Sequence, residues 1–302
     1  MKRRDFIRKT SILSLATMSA SQTLASLSSS LPDRETMMPV LFIGHGSPMN
    51  GIENNEFSAY WRQLGKEIQP PSAVLCISAH WLTKGTAITA MEAPRTIHDF
   101  GNFARELYEV QYPVNGSPEL ASNVKEHLKA EVSVELDHDW GLDHGCWTVV
   151  RQMYPEADIP VLQLSIDYHK PPQYHYDLGK QLSYLRKKGV LILGSGNMIH
   201  NLRKIGAPNG QPLTPEFGTL SYGYDWALSL NETFKSLISR KQHKKLIEYH
   251  NLGEAARLAI PTPDHYYPML YTLALQEDSE EVEVFNDKCI AGSLSMTSFK
   301  IS

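Results

Sequence analysis

Three histidines in this chain arrive in the same way. His45, His80 and His200 each follow a short apolar run, at residues 40–43, 73–79 and 190–193. Runs of that length bounded by turn formers read as buried strands, and open α/β sheets bind ligands beyond the carboxyl ends of such strands. A fourth, His265, sits in the rigid turn Pro261-Thr262-Pro263-Asp264-His265-Tyr266-Tyr267-Pro268. Neutral imidazole is the commonest protein ligand for divalent transition metals. Three protein ligands that leave coordination positions open mark a catalytic rather than a structural site. Taken alone, Gly44-His45-Gly46-Ser47-Pro48 is equally well explained as a satisfied histidine in a tight turn. On the metal reading, Gly44 and Gly46 let a ligand or metal approach the main chain.

Of the remaining eight histidines, His98 and His144 lie in stretches rich in glycine and aromatic residues, residues 94–101 and 139–147, which read as ordered loops. His127, His138, His169, His175, His243 and His250 stand in polar or helical contexts and are expected to face solvent.

The elements that must position these side chains follow from periodicity. Residues 57–68 carry Phe57, Tyr60, Trp61, Leu64 and Ile68 at helical spacing, ended by Pro70-Pro71. Strand, helix and strand then form a β-α-β unit that presents His45 and His80 on one edge of a parallel sheet. Residues 118–128, 176–187, 225–238, 241–249 and 269–275 read as helices, and a further one begins at Val149. Strands are expected at 86–90, 132–136 and 159–166. The tail alternates through 282–285 and 293–299 as two antiparallel edge strands. No repeat or long linker divides the chain, so one α/β domain is expected.

Other chemistries fit less well. The net charge of −4 supplies no basic stripe for a phosphate backbone, which argues against nucleic acid as a partner. Cys76, Cys146 and Cys289 imply no disulfide framework, and Cys76 reads as a small core residue. There is neither a Cys pair at zinc-finger spacing nor a His-Glu-x-x-His helix. Gly194-Ser195-Gly196 is neither a full nucleophile elbow nor a full phosphate loop.

The amino terminus reads separately. Lys2-Arg3-Arg4-Asp5-Phe6-Ile7-Arg8-Lys9 precedes a mildly apolar, Ser/Ala/Thr-rich run and then Ser28-Ser29-Ser30. That order is an export signal, and the paired arginines resemble the twin-arginine type. The run is too polar for a stable membrane anchor. Residues 1–35 are therefore expected to be signal peptide and linker, and the protein to be periplasmic.

Six ordered motifs together resemble the class III extradiol ring-cleavage dioxygenases, in the 4,5-DOPA extradiol dioxygenase branch of the LigB-like superfamily. They are Gly-His-Gly-Ser-Pro at 44–48, Ser-Ala-His-Trp at 78–81, Ile-His-Asp-Phe-Gly at 97–101, Asp-His-Gly-x-Trp at 143–147, Gly-Ser-Gly-Asn-x-x-His-Asn at 194–201 and Pro-Thr-Pro-Asp-His-Tyr at 261–266. The resemblance covers essentially everything after residue 38. It implies a single three-layer α/β domain over 36–302, with a central, mostly parallel or mixed β-sheet flanked by helices. His45 and His80 match the strand-end metal ligands, and His265 stands where many relatives have a glutamate, giving three histidines. His200 matches an acid/base histidine that could also serve as a fourth ligand, and His144 a histidine that contacts substrate or oxygen. His98, Ser47 and Trp81 are expected around the substrate. The cofactor implied is one divalent metal, Fe(II) for catalysis, with Zn(II) as another ion the site could hold. The partners implied are a small catechol and O2, giving a ring-opened semialdehyde, and a homo-oligomer is left open. A zinc-dependent hydrolase or a periplasmic metal-binding protein on the same histidines is the alternative.

Overall fold

Every residue of Val40–Gly44 (β1) and Ala73–Ser78 (β2) is buried, as expected of apolar strands covered on both faces. Leu82–Thr83 (β3), Thr86–Thr89 (β4), Val134–Asp137 (β5), Val161–Gln163 (β6), Ile166–Asp167 (β7) and Val190–Gly196 (β8) follow, then Val282–Phe285 (β9), Cys289–Ile290 (β10), Leu294–Ser295 (β11) and Ser298–Ile301 (β12). The computed structural model describes residues 31, 33–212 and 218–302, and Asp33–Ser302 form one compact unit. The signal reading of residues 1–35 falls almost wholly outside the described residues. Among those described, no helix is long and apolar enough to cross a membrane.

Six strands make the central sheet, in the order β6-β2-β8-β1-β12-β9. β6, β2, β8 and β1 run parallel, while β12 is antiparallel to both β1 and β9. Register decides where the strands stop. Gly44 pairs with Gly196 and Ser78 with Ser195, so β1, β2 and β8 end level with one another.

Side chains alternate across this sheet and so build two cores. Leu41, Ile43, Cys76, Leu191 and Leu193 pack with Phe57 and Trp61 of the helix Glu56–Glu67 and with Trp147 and Val150 of the helix His144–Met153. On the opposite face Gly194 lies against the helix Tyr267–Leu273, where an added Cβ would stand 2.6 Å from the Pro268 carbonyl oxygen. That helix is buried along its whole length. Each of these large apolar side chains contributes about 1.5–3 kcal/mol by leaving water. Arg186, 1% exposed, braces the same layer. Its guanidinium donates to the carbonyls of Met38 and Leu275 and to both oxygens of Glu280.

Several expectations need correction. Of the two expected tail strands, 282–285 is the antiparallel edge strand β9, but β12 is an inner strand between β1 and β9, and the 293–299 run breaks into β11 and the start of β12. The expected strand at 159–166 splits into β6 and β7, and the helix at 176–187 begins at Pro172 and splits after Gln181. Residues 143–147 are a helix start rather than a loop, because the Asp143 side chain accepts the Cys146 N–H as an N-cap. His175 is fully buried rather than solvent-facing. Its Nε2 donates to the Lys170 carbonyl at 3.3 Å, so Nδ1 accepts the Tyr271 hydroxyl at 3.0 Å. Cys76, Cys146 and Cys289 are free and buried.

Candidate metal centre and active-site cavity

The level strand ends bring the histidines together. Ring centroids of His45 and His80 are 5.1 Å apart, of His80 and His265 4.9 Å, and of His45 and His265 5.3 Å. His200 stacks on His265 with centroids 3.5 Å apart and planes 3° from parallel. His144 meets His80 at 3.9 Å. Ligand atoms of His45, His80 and His144 lie within 4.8 Å of one another, as do those of His200, Asp264 and His265. The five histidines predicted to do chemistry thus share one site.

Hydrogen bonds decide which ring nitrogen each histidine presents. Ser195 Oγ donates its only hydrogen to the Gly145 carbonyl at 2.5 Å. It can therefore only accept from His45 Nδ1, 3.0 Å away, and His45 Nε2 keeps its lone pair. Asp264 Oδ2 likewise accepts from His265 Nδ1 at 2.5 Å. His80 Nδ1 lies 3.5 Å from Asp99 Oδ2, a carboxylate that favours Nδ1–H and a bare Nε2. Yet His80 Nε2 is 3.2 Å from His45 Nε2: an Nε2–H tautomer of His80 would bond the two but turn its Nδ1 lone pair toward the Asp99 carboxylate, whereas two bare nitrogens at that distance repel. Protonation is a poor remedy: burial, and next the neighbouring His144, push the His80 pKa down to about 3. A divalent cation bound by both nitrogens resolves the conflict, so the donor set fits a metal. Burial, reinforced by the surrounding imidazoles, likewise drives His45 and His265 well below the usual histidine range. His200 is lowered to about 4, chiefly by burial, partly offset by Asp264.

A cavity of about 380 Å³ opens beside these rings. His45, His80, His144, His200 and His265 line it together with Ser47, Asp99 and an apolar wall that includes Phe100, Phe103, Ile290 and Leu294. His98 and Trp81, expected around the substrate, do not line it. The Nε2 of His98 donates to the Val110 carbonyl at 3.0 Å, and its ring supports Phe100 and Trp147 edge-on. Trp81, 3% exposed, stacks on Trp140 with centroids 5.7 Å apart.

Gly46 lines the cavity, as expected of a glycine that leaves the main chain open to a ligand, but both glycines of the first motif also make room within the protein. A Cβ on Gly44 would lie 2.7 Å from the Met296 main chain. One on Gly46, at φ +61°, would meet the Met296 sulfur. The close approach they allow there is that of the protein's own backbone and Met296 side chain.

Sequence reasoning missed Ser195, Asp99 and Asp264 as site residues, although Asp99 and Asp264 each adjoin a flagged histidine. It also missed Asp143, which is fully buried. Asp143 Oδ1 accepts the Ser78 hydroxyl at 2.6 Å, tying the end of β2 to the helix that carries His144. Burial, and next the charge of Asp99, raise its pKa to about 6.

Comparison with known proteins agrees with this geometry. Residues 39–295 match the family of the catalytic LigB subunit of aromatic ring-opening dioxygenase. A 4,5-DOPA dioxygenase extradiol of Escherichia coli K12 is 43% identical over 270 residues, covering 88% of this chain and 95% of that protein. One of Beta vulgaris is 32% identical over 273 residues, covering 89% and 98%. The crystal structure of an uncharacterised E. coli K12 protein superposes with a TM-score of 0.73 at 40% identity, covering 88% of this chain and all of that one. With its mixed sheet, its gathered histidines and a family match over nearly all of its described residues, the chain belongs to the LigB family of aromatic ring-opening dioxygenases.

Proposed function

We propose that this enzyme opens the ring of a small, DOPA-like catechol beside its diol, with Fe(II) as the catalytic metal held by His45, His80 and His265. The convergence of neutral imidazoles on one wall of a cavity whose other walls are aromatic and aliphatic carries the reading. Names of the relatives point to the same substrate class. When bound, the metal supplies Lewis acidity that lowers the pKa of the diol and a redox partner for O2.

The chain's own residues do the rest. Phe100, Phe103, Ile290 and Leu294 exclude water and offer the apolar faces that a flat ring fills. His200, with a pKa of about 4, is neutral at physiological pH and keeps a ring-nitrogen lone pair ready to take a hydroxyl proton. Its backbone N–H is fixed on the Ala259 carbonyl at 2.9 Å, and its stacking on His265 sets the ring plane. The proton that His200 takes up can then be returned by it to the opening ring, and His144 lines the same cavity. Both oxygen atoms of O2 end in the product, a ring-opened semialdehyde.

Zinc fits the same nitrogens but has no accessible redox change, so a zinc form should be inert toward O2. We also propose that the twin-arginine-type amino terminus exports the folded protein to the periplasm, which cell fractionation would check. The deciding assay is oxygen uptake across a catechol panel that includes DOPA, with Fe(II), Mn(II) and Zn(II) forms side by side. Uptake confined to redox-active forms is expected. No uptake in air with any catechol, after the protein has been loaded anaerobically with Fe(II), would sink the assignment.

A further inference from the structure

Among the described residues, Asp99 is the one carboxylate that lines the cavity. Its Oδ1 accepts the backbone N–H of His144 at 2.8 Å, which anchors the group. The other oxygen is thereby held between two imidazoles, 3.5 Å from His80 Nδ1 and 3.0 Å from His144 Nδ1. The approach to His144 is too oblique for a hydrogen bond, so that buried Nδ1 is left without a partner. Among the described residues, Asp99 is the only carboxylate within ion-pair distance of either ring.

We propose that Asp99 is a positioning residue that sets the ring tautomers of His80 and His144 together, coupling metal affinity to the state of the substrate-side imidazole. The inference rests on the reading of His80 as a metal ligand. A carboxylate oxygen accepts hydrogen bonds and donates none, so both rings are driven toward Nδ1–H. Nε2, on the far side of each ring, is then unprotonated: on His80 as a donor to metal, on His144 as an acceptor for a substrate proton. One oxygen has lone pairs for both N–H groups, and a small rotation of His144 would align the second.

Asp99→Asn isolates this role. The amide oxygen can still accept the His144 N–H, while an NH2 group replaces the oxygen that faces the two rings. That group donates to Nδ1 and so favours Nε2–H, the tautomer that blocks metal. The test titrates Zn(II) into apo-protein against a chromophoric chelator, for wild type, Asp99→Asn and Asp99→Glu, with ring 15N spectra recorded on the same apo samples. Expected is a loss of roughly ten- to a hundredfold in zinc affinity for Asp99→Asn, in the range of outer ligand partners elsewhere, with partial recovery in Asp99→Glu. The His80 and His144 ring signals should move from Nδ1–H toward Nε2–H. Zinc affinity within twofold of wild type, or unmoved ring signals in a folded Asp99→Asn protein, would overturn the proposal. Should wild type itself not bind zinc, the metal-centre reading falls, and the apo ring spectra still decide the role of Asp99.

Discussion

Gly196 is the last residue of β8, and its missing side chain sets the position of His265. A Cβ built there would stand 2.2 Å from the His265 carbonyl oxygen and 3.1 Å from its carbonyl carbon. Since real Cβ contacts essentially never fall below 3.0 Å, Gly196→Ala must separate the two chains by about 0.8 Å or more. Neither side yields cheaply. Gly196 is paired with Gly44 in the parallel ladder, and the same His265 carbonyl accepts the Asn197 N–H at 2.9 Å. Overpacking of this kind costs about 1–3 kcal/mol. If His265 holds the metal as proposed, displacing its ring by close to 1 Å should lower turnover toward a hundredfold. Urea unfolding of the apo-protein measures the first effect, and oxygen uptake at saturating Fe(II) measures the second. Gly101→Ala is the control, because nothing lies within 4 Å of a Cβ there, and it should stay within about 0.5 kcal/mol of wild type. If Gly196→Ala matches that control in both stability and turnover, the strand end does not set the position of His265 and the reasoning fails.

Two further outcomes follow from buried histidines and their partners. Ser195→Ala removes the acceptor that holds the Nδ1–H of His45 and leaves the Gly145 carbonyl without its donor; stability should fall by about 1–3 kcal/mol and zinc affinity by roughly tenfold or more, and unchanged affinity in a chelator competition would rule out the tautomer lock. Burial, partly offset by the Lys170 carbonyl and Asp167, depresses His175 to about 4. An unfolded histidine near 6.5 takes up a proton that the native state refuses, so this contribution to stability is whole above about pH 6.5 and shrinks as pH falls toward 4. Between pH 7 and pH 5 the apo wild type should lose about 2 kcal/mol more than His175→Gln, and parallel pH curves in urea unfolding would refute the assignment.

Much of this site could be read along the chain because its signals are local. An apolar run that ends in glycine or a turn specifies a buried strand, and the residue just after it is carried to the sheet edge whatever the rest of the fold does. That is why His45 and His80 were found, and why the helix at Glu56–Glu67, with its Asn55 capping box, was readable within a residue or two. His265 was flagged by the prolines that bracket it. The Asp143 cap was equally local but was read as a loop, since glycine and tryptophan neighbours masked a helix start.

What stayed hidden depends on pairs of residues far apart in sequence. That β1, β2 and β8 end level is a matter of register, and that register brings the strand-end histidines to the same edge as His265 in its turn and His144 at its helix start. Side-chain direction decided the fates of His98 and Trp81: each stands inside a site motif, yet each is committed to a partner away from the cavity. His175 looked like a surface residue of a polar helix until Tyr267 and Tyr271 closed over it. The glycines flanking His45 were read as room for a ligand or metal, and only the fold shows that they also make room for Met296, some 250 positions away in the chain. By itself the sequence determined which imidazoles reach the sheet edge, because strand and turn are encoded within a few residues. Only the tertiary structure decided which nitrogen each imidazole presents, because Ser195, Asp99 and Asp264 meet those rings through a geometry that exists after the strands have paired.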